Sequence, residues 1–243
     1  MIKVGCCGFP VRKELYYRTL RVVEIQQTFY QLPRVSTGER WRAETPPPFE
    51  FTMKAWQLIT HEPSSPTYRR LREGIPPNEK KNYGAFKGTE EVERAWLRTA
   101  AFARTIGANK VIFQTPARFD PSTTHIKDLK EFFKGLRRDG LTLIWEPRGT
   151  WGPEAVEGLC KELEVIPSMD PFQAPLGEGN LFYARLHGKT GYRYTYSDIE
   201  LKALMKKGSS YPEAYVMFNN ASMFDEASRL ARLMGTVDAR KKG

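Results

Sequence analysis

The feature of this 243-residue sequence that most constrains its fold is a repeated alternation. Short apolar, β-branched runs are separated by segments with helical periodicity, which is typical of βα units and a parallel sheet. Eight strands are predicted, at Lys3–Cys7, Val22–Phe29, Phe49–Lys54, Lys110–Gln114, Leu141–Glu146, Val165–Asp170, Leu181–His187 and Ala214–Asn219. Eight such units close most economically as a barrel, and about 250 residues is its usual length. We therefore predict an α/β fold, a single-domain (β/α)₈ TIM-type barrel over residues 1–243.

The clearest predicted helix is Thr89–Ile106, with Thr89 as its N-cap and Gly107 at its end. The connection between the first two strands is short, and the segment around Trp41 is weakly helical. Four further helices are predicted at Ile126–Arg138, Pro153–Glu162, Asp198–Lys207 and Ser222–Met234.

One long stretch, residues 57–88, lacks clear periodicity and follows the third predicted strand. A barrel would place such an insertion over the catalytic face. Its basic residues outnumber its acidic ones by three, so one interpretation is a basic lid that binds phosphate. His61 would be part of this lid. An equal alternative is a solvated connector that packs on the rim.

The charge and the cysteines limit the partners and the compartment. A net charge of +10 and a pI near 9.5 attract phosphates of nucleic acid or of small molecules, or give a soluble protein with a basic surface. Three cysteines without paired spacing favour a reducing cytoplasm. The first residues are too short and too charged for a signal peptide or membrane span, so no membrane partner is expected. Residues 237–243 are expected to be a flexible tail.

Alternation within the strands predicts which side chains face the barrel axis. In the second strand, Val23 and Ile25 face one side and Glu24 and Gln26 the other. Because the helix-facing side of a barrel strand requires apolar residues, Glu24 and Gln26 are predicted to point inward. The same test on the other strands and their ends adds inward polar residues at Lys54, Gln114, Glu146, Arg148, Asp170, Arg185, His187 and Asn219, and Asn220 follows just beyond the eighth strand.

These residues end successive strands, where barrel enzymes place their chemistry. Isolated buried charges are costly, so they must pair, contact water or meet a ligand. We predict that Glu24 or Glu146 acts as a general base and that His187 acts as the acid. The predicted substrate-binding residues are Gln26, Lys54, His61, Gln114, Arg148, Asp170, Arg185, Asn219 and Asn220.

Two alternatives concern the same residues. One is a purely structural ion network that fills the barrel. The other is a divalent metal held by the carboxylates and His187, which three cations at the same strand ends disfavour. No cofactor is therefore predicted.

Several of these segments, in this order, resemble the YecE-like family, the domain of unknown function numbered seventy-two. They are Gly5-Cys6-Cys7-Gly8-Phe9, Val23 to Tyr30, Thr60-His61, Trp145 to Trp151, Ala184 to Gly188, and Phe218-Asn219-Asn220. The resemblance covers nearly the whole chain and implies a (β/α)₈-type barrel, broadly similar to sugar-isomerase and endonuclease-IV-like barrels. It implies no reaction. The family's usual Gly-x-Ser-Gly-Trp opening is here Gly5-Cys6-Cys7-Gly8-Phe9, without the hydroxyl and the indole.

Three functions are compatible with these patterns. The favoured one is an enzyme, hydrolase- or isomerase-like, that acts on a phosphorylated or otherwise anionic, sugar-containing substrate. The second is a nucleic-acid binder or processing enzyme in which the basic lid, Tyr68, Tyr83 and Trp56 meet backbone and bases. The third is a non-catalytic barrel that binds a metabolite.

Overall fold

The structure is a computed structural model that describes residues 1–173 and 179–235. Its eight strands are parallel and follow one another around a closed barrel in chain order, which confirms the predicted fold class. The predicted tail, residues 237–243, lies outside the described residues. The strands are β1 Ile2–Cys7, β2 Val22–Ile25, β3 Glu50–Lys54, β4 Lys110–Gln114, β5 Thr142–Glu146, β6 Ile166–Met169, β7 Leu181–Leu186 and β8 Glu213–Phe218.

Helices connect the strands. They are α1 Lys13–Thr19, α2 Gln27–Tyr30, α3 Val35–Glu44, α4 Gln57–Thr60, α5 Glu90–Ile106, α6 Thr123–Gly135, α7 Pro153–Leu163, α8 Asp198–Ser209 and α9 Met223–Leu233. Two 3₁₀ turns, Pro66–Arg70 and Lys80–Asn82, lie between α4 and α5. The predicted helix ends of α5 are confirmed, because Thr89 accepts a hydrogen bond from the Val92 amide and Gly107 adopts the left-handed conformation.

The second strand is shorter than predicted. It ends at Ile25, and Gln27–Tyr30 forms α2, so the prediction of a strand as far as Phe29 is wrong. Gln26 is the residue before α2 and has helical dihedrals. Strand alternation therefore does not extend to Gln26, Thr28 or Phe29. Helix α1, between the first two strands, was not predicted.

The chain forms two compact units, and each is described by itself. The first unit comprises Met1–Glu24, Thr45–Glu50 and the chain from Ser168 onward; the second comprises Ile25–Glu44 and Phe51–Pro167. That residues 1–243 form one domain stays a prediction. Within the described residues, no helix combines the length and the apolar character that crossing a bilayer requires.

In the first unit, helix α1 is joined to the sheet by a buried tyrosine. The Tyr16 hydroxyl accepts from the Cys6 amide at 2.7 Å and donates to the Val22 carbonyl at 2.9 Å. It thereby satisfies backbone groups on two adjacent strands. At the N-terminal end of the strands, Lys3 forms ion pairs with Glu50 at 2.6 Å and Glu213 at 2.9 Å. Such a network at the N-terminal end of barrel strands is associated with stability.

The core of the second unit is aromatic. Helix α5 buries Trp96 against Phe113 of β4, with ring centroids 5.6 Å apart. Phe113 also lies 5.2 Å from Phe133 of α6 and 6.1 Å from Phe86. Burial of such large side chains contributes most of the apolar free energy that holds helices against a sheet. Phe113 of β4 is therefore surrounded by aromatic rings of α5, α6 and the segment that precedes α5.

Candidate functional site

The strand ends of the first unit contain a buried ion pair. Cys7 of β1 is in register with Glu24 of β2, and the Glu24 carboxylate accepts from Arg185 Nε at 3.1 Å and Nη2 at 2.7 Å. The Tyr183 hydroxyl donates to the same carboxylate at 2.9 Å. Neither Glu24 nor Arg185 has any exposed surface. Glu24 therefore faces inward as alternation predicted, and its bonding is that of the structural alternative, so its role as a base stays a prediction.

His187 follows β7 and lies on a more open part of the same unit. Its side chain is partly exposed, and its Nδ1 atom is 3.1 Å from the Asn219 amide nitrogen. An amide nitrogen can donate to Nδ1 when that atom carries no proton. Asn219, predicted to bind substrate, thus orients the imidazole through this hydrogen bond.

Asp170 lies just after β6 and holds the loop that follows β7. Its Oδ2 atom accepts from the His187 amide and from the Tyr196 hydroxyl, each at 3.4 Å. Burial, followed by the charge of Asp170, raises the pKa of Tyr196, so that hydroxyl remains a donor. Tyr196 in turn accepts from the Gly188 amide at 2.9 Å. Asp170 is therefore linked to His187 through the backbone.

Asn220 is buried and serves as an anchor in this structure. Its amide nitrogen donates to the Tyr194 carbonyl at 2.8 Å and to the Glu226 carboxylate of α9. The other Glu226 oxygen accepts from the Tyr196 amide at 2.5 Å. These bonds connect the loop after β7 to α9. A direct contact of Asn220 with substrate stays a prediction.

In the second unit, strand register aligns three predicted residues. Lys54 of β3 is in register with Ile112 of β4, and Gln114, two residues further on, is in register with Glu146 of β5. Residues two apart on a strand share a face. Lys54, Gln114 and Glu146 are therefore on one face, with Lys54 one layer deeper.

Arg148 pairs with Glu146 at the end of β5. Its Nη2 atom is 2.5 Å from Glu146 Oε1, and its side chain is 35% exposed, whereas that of Glu146 is 4% exposed. Gly149 follows with a positive φ of 91°, where a Cβ would lie 2.3 Å from the Ala117 carbonyl oxygen. Only glycine fits this close approach, so Gly149 fixes the direction in which the chain leaves Arg148.

Lys54 and His61 both lie against Phe29. The Lys54 ammonium is 3.7 Å from the ring centroid of Phe29, a cation–π contact. The His61 ring packs edge-on against Phe29 at 4.8 Å, and its Nδ1 is 2.8 Å from the Thr60 hydroxyl. Burial, then the charges of Lys54 and Arg118, lower the pKa of His61 to about 3. His61 is therefore neutral near pH 7 and contributes no positive charge.

Of the three aromatic residues predicted to meet bases, Trp56 is buried, and the roles of Tyr68 and Tyr83 stay predictions. Trp56 is 1% exposed, and the Tyr68 hydroxyl donates to the His61 carbonyl at 2.7 Å. Tyr83 is half-buried. The prediction that Trp56 meets bases is wrong in this conformation, because the indole packs inside the second unit. Residues 57–60 are a buried helix, so the start of the predicted lid belongs to the core.

The structure thus brings together two separate sets of predicted residues, one in each unit. In the first unit, Glu24 forms an ion pair with Arg185, and hydrogen bonds link His187 to Asp170 and to Asn219. In the second unit, Lys54 and His61 both contact Phe29. Gln114 is in register with Glu146, which forms an ion pair with Arg148. Gln26 is half-buried at the start of α2. Sequence reasoning missed Phe29, Tyr183 and Tyr196. Only Tyr183 carried a signal, because it shares the face of Arg185.

The same residues bear on metal coordination. Within residues 1–173 and 179–235, no group of three or more histidine, cysteine, aspartate or glutamate side chains has an arrangement suited to a metal ion. Of the three carboxylates considered as metal ligands, Glu24 and Glu146 are engaged by arginines, and Asp170 accepts from the His187 amide and the Tyr196 hydroxyl.

Comparison with known proteins gives the family and the fold. The UPF0759 protein YunF of Bacillus subtilis is 22% identical over 95% of this chain and 88% of its own. A DUF72 family protein from Enterococcus faecalis V583 has a similar structure, with 21% identity, coverage of 97% and 98% of the two chains, and a TM-score of 0.71. A DUF72 family protein from Thermotoga maritima MSB8 has 20% identity, coverage of 97% and 99%, and a TM-score of 0.69.

More distant barrels share the fold alone. L-ribulose 3-epimerase superimposes with a TM-score of 0.57 at 12% identity over all of both chains. The model of the family described as "Protein of unknown function DUF72" matches residues 11–242. The chain therefore belongs to the DUF72 family.

Proposed function

We propose that this protein is an enzyme that acts on a phosphorylated or otherwise anionic, sugar-containing substrate at the ends of β3, β4 and β5. The observation that carries the proposal is the Glu146–Arg148 pair, in which a buried carboxylate and a partly exposed guanidinium are 2.5 Å apart. C-terminal strand ends are where barrel enzymes place catalytic residues.

The proposed anion site uses Arg148 and Lys54. Arg148 keeps about a third of its side-chain surface exposed, in contrast to the fully buried Arg185. A guanidinium can bind a phosphate or carboxylate through two parallel hydrogen bonds. Lys54, held over the ring of Phe29 at the next layer down, adds a second positive charge. His61 is neutral and serves as a hydrogen-bonding group.

The proposed base is Glu146. Its contact with Arg148 orients the carboxylate, and Gln114 beside it in register supplies an amide that can orient a substrate hydroxyl. A base and a hydroxyl-orienting group suit proton abstraction next to a carbonyl or activation of water. The reaction class is accordingly isomerase- or hydrolase-like. L-ribulose 3-epimerase, which is named for a sugar substrate, has the same barrel fold. As part of this proposal, we infer from it that the substrate of this protein also contains a sugar.

The residues of the first unit have separate roles in the proposal. The role of His187 as an acid stays a prediction from the sequence, and Asn219 orients its imidazole. Glu24 is assigned a positioning role for Arg185 because both of its oxygens are engaged. These roles do not carry the proposal.

The test is a screen of phosphorylated sugars and sugar acids, scored first by thermal stabilisation of the protein and then by turnover. We expect Glu146→Gln to lower kcat by at least about 100-fold while binding persists. Arg148→Met and Lys54→Met are expected mainly to raise KM. Glu50→Gln is the matched control, because Glu50 also pairs with a cation but begins β3. Full turnover by Glu146→Gln would overturn the proposed base, and a ligand that binds but is never converted would favour a metabolite-binding barrel.

A further inference from the structure

A second candidate binding site lies in the second unit, between α2 and the first 3₁₀ turn. It is a cleft of about 530 Å³. We call it the arginine cleft; its walls include Tyr30, Gln31, Pro33, Arg69, Arg70 and Arg72. The three arginines belong to the predicted basic lid, residues 57–88, and none of the lining residues belongs to the Glu146–Arg148 group.

The arginine cleft has a fixed wall. The Gln31 side-chain oxygen accepts from the backbone amides of Arg72 at 3.2 Å and Glu73 at 3.3 Å. The Gln57 side chain donates to the Tyr30 carbonyl at 2.9 Å. These bonds hold the arginine-bearing segment against α2. The backbone on both sides of the cleft is therefore held in place by hydrogen bonds.

The charge of the cleft is strongly positive. Arg69, Arg70 and Arg72 are exposed, and no carboxylate of the described residues forms an ion pair with any of them. The adjacent acid, Glu73, is held by Arg98 through two hydrogen bonds of 2.8 and 3.0 Å. The Arg98 hydrogen bonds lower the pKa of Glu73, so it remains ionised and bound to Arg98. Three positive charges thus face a concave surface without compensation from its walls.

An aromatic platform accompanies this charge. The Arg70 guanidinium lies 3.5 Å from the ring centroid of Tyr30, a stacked cation–π contact. The ring of Tyr30 also packs edge-on against Phe29, 5.0 Å away, which limits its movement. Arginine–tyrosine pairs of this kind accept a nucleobase by stacking, because every base has a flat π-face.

We propose that the arginine cleft binds single-stranded nucleic acid, with phosphates on the three arginines and a base stacked at Tyr30 and Arg70. Sites that bind single strands usually combine basic side chains, which contact the phosphates of the nucleic acid, with an aromatic ring on which a base stacks. Duplex is disfavoured because its bases are already stacked on each other. A phosphopeptide would use the arginines but give no role to the platform. The net charge of +10 would assist encounter with any polyanion.

The test measures fluorescence anisotropy of a labelled oligothymidylate of about eight nucleotides, at several salt concentrations. For Arg69→Ala/Arg70→Ala/Arg72→Ala we expect affinity at low salt to fall at least about tenfold, and the salt slope to fall by about two. Tyr30→Ala is expected to weaken binding about tenfold, with recovery in Tyr30→Phe. The matched control is Arg18→Ala/Lys202→Ala/Lys206→Ala, which removes the same charge from exposed positions elsewhere and is expected to retain affinity within about twofold.

Three further arms identify the ligand. Thymidine monophosphate and inorganic phosphate are used as competitors, and a duplex of the same length is labelled in parallel. Weak competition by both small anions and weaker binding of duplex support a strand site. Equal affinity for phosphate alone, equal binding of duplex, or an equal loss in the control triple variant would each overturn it. Circular dichroism and a thermal melt of every variant separate lost binding from lost folding.

Discussion

Arg185 and Glu24 form a two-point ion pair with distances of 3.1 and 2.7 Å in a position with no solvent exposure. Transfer of both charges from water is costly, and their mutual attraction must offset that cost. The Tyr183 hydroxyl, which donates to Glu24 at 2.9 Å, completes the set of hydrogen bonds. Such a pair contributes little net stability when complete but is very sensitive to the loss of one partner.

We therefore expect Arg185→Met to destabilise the protein by about 3–5 kcal/mol, because it leaves the Glu24 charge buried without its cation. The free energy of unfolding is measured by urea denaturation. Arg40→Met is the matched control, since Arg40 and its partner Glu44 are both exposed, at 67% and 43%, and it is expected to cost about 1 kcal/mol or less. In the double variant Glu24→Leu/Arg185→Met, much of the loss should be recovered. Strictly additive losses would show that the two residues are not coupled.

Replacement by alanine is expected to have opposite effects on stability at two glycines, Gly149 and Gly158. Gly149 has a positive φ, and an added Cβ would lie 2.3 Å from the Ala117 carbonyl oxygen, so Gly149→Ala should destabilise by about 2 kcal/mol or more. Gly158 lies within α7 with nothing near an added Cβ, so Gly158→Ala should stabilise by roughly 0.5–1 kcal/mol. Thermal or urea unfolding measures both. Equal small effects would contradict the close approach at Gly149.

Local patterns in the sequence were sufficient to predict much of this fold. The capping signals at Thr89 and Gly107 gave the ends of α5 because caps depend on single residues and their immediate neighbours. Alternation predicted the inward face of Glu24 because the strand period is fixed by the backbone. Both are short-range properties.

The failures have a different origin. Alternation cannot show where a strand stops, and β2 ends at Ile25 because α2 begins two residues later, where the Thr28 hydroxyl donates to the Ile25 and Lys54 carbonyls. The burial of Trp56 and the anchoring of Asn220 by Glu226 depend on contacts with other elements. The arginine cleft likewise joins α2 to a segment about forty residues later, a pairing that no local pattern encodes.

The bidentate pair between Glu73 and Arg98 ties residues after the first 3₁₀ turn to α5. Because both side chains are about half exposed, Glu73→Gln should change the free energy of global unfolding by about 1 kcal/mol or less. Local opening of residues 69–75 should be affected more than global unfolding, because this ion pair connects the segment to helix α5. Hydrogen exchange of residues 69–75 is the measurement, with Glu90→Gln, the exposed i,i+4 partner of Arg94, as control. Unchanged exchange in Glu73→Gln would show that the Glu73–Arg98 pair does not hold the segment closed.

His61 gives a prediction for pH dependence. Its pKa falls from an ordinary 6.5 to about 3 because burial and the charges of Lys54 and Arg118 oppose protonation. The unfolded chain therefore binds more protons than the folded chain between these values. Stability from this group is complete above about pH 6.5 and decreases as the pH falls toward 3, with a slope of at most about 1.4 kcal/mol per pH unit.

The replacement His61→Phe keeps an aromatic ring beside Phe29 and removes this titration, so the wild type should lose more stability than the variant between pH 6.5 and 5. Urea unfolding at each pH measures the difference. Glu200, whose pKa is lowered to about 2 chiefly by hydrogen bonds from Lys189 and Tyr194, also weakens the fold in acid, but below its ordinary value of 4.5. Between pH 5 and 6.5, a difference in stability between the wild type and His61→Phe therefore reports on His61 and not on Glu200. Proton NMR of the three histidines adds a direct check: an imidazole of His61 that titrates near pH 6.5 would contradict its burial.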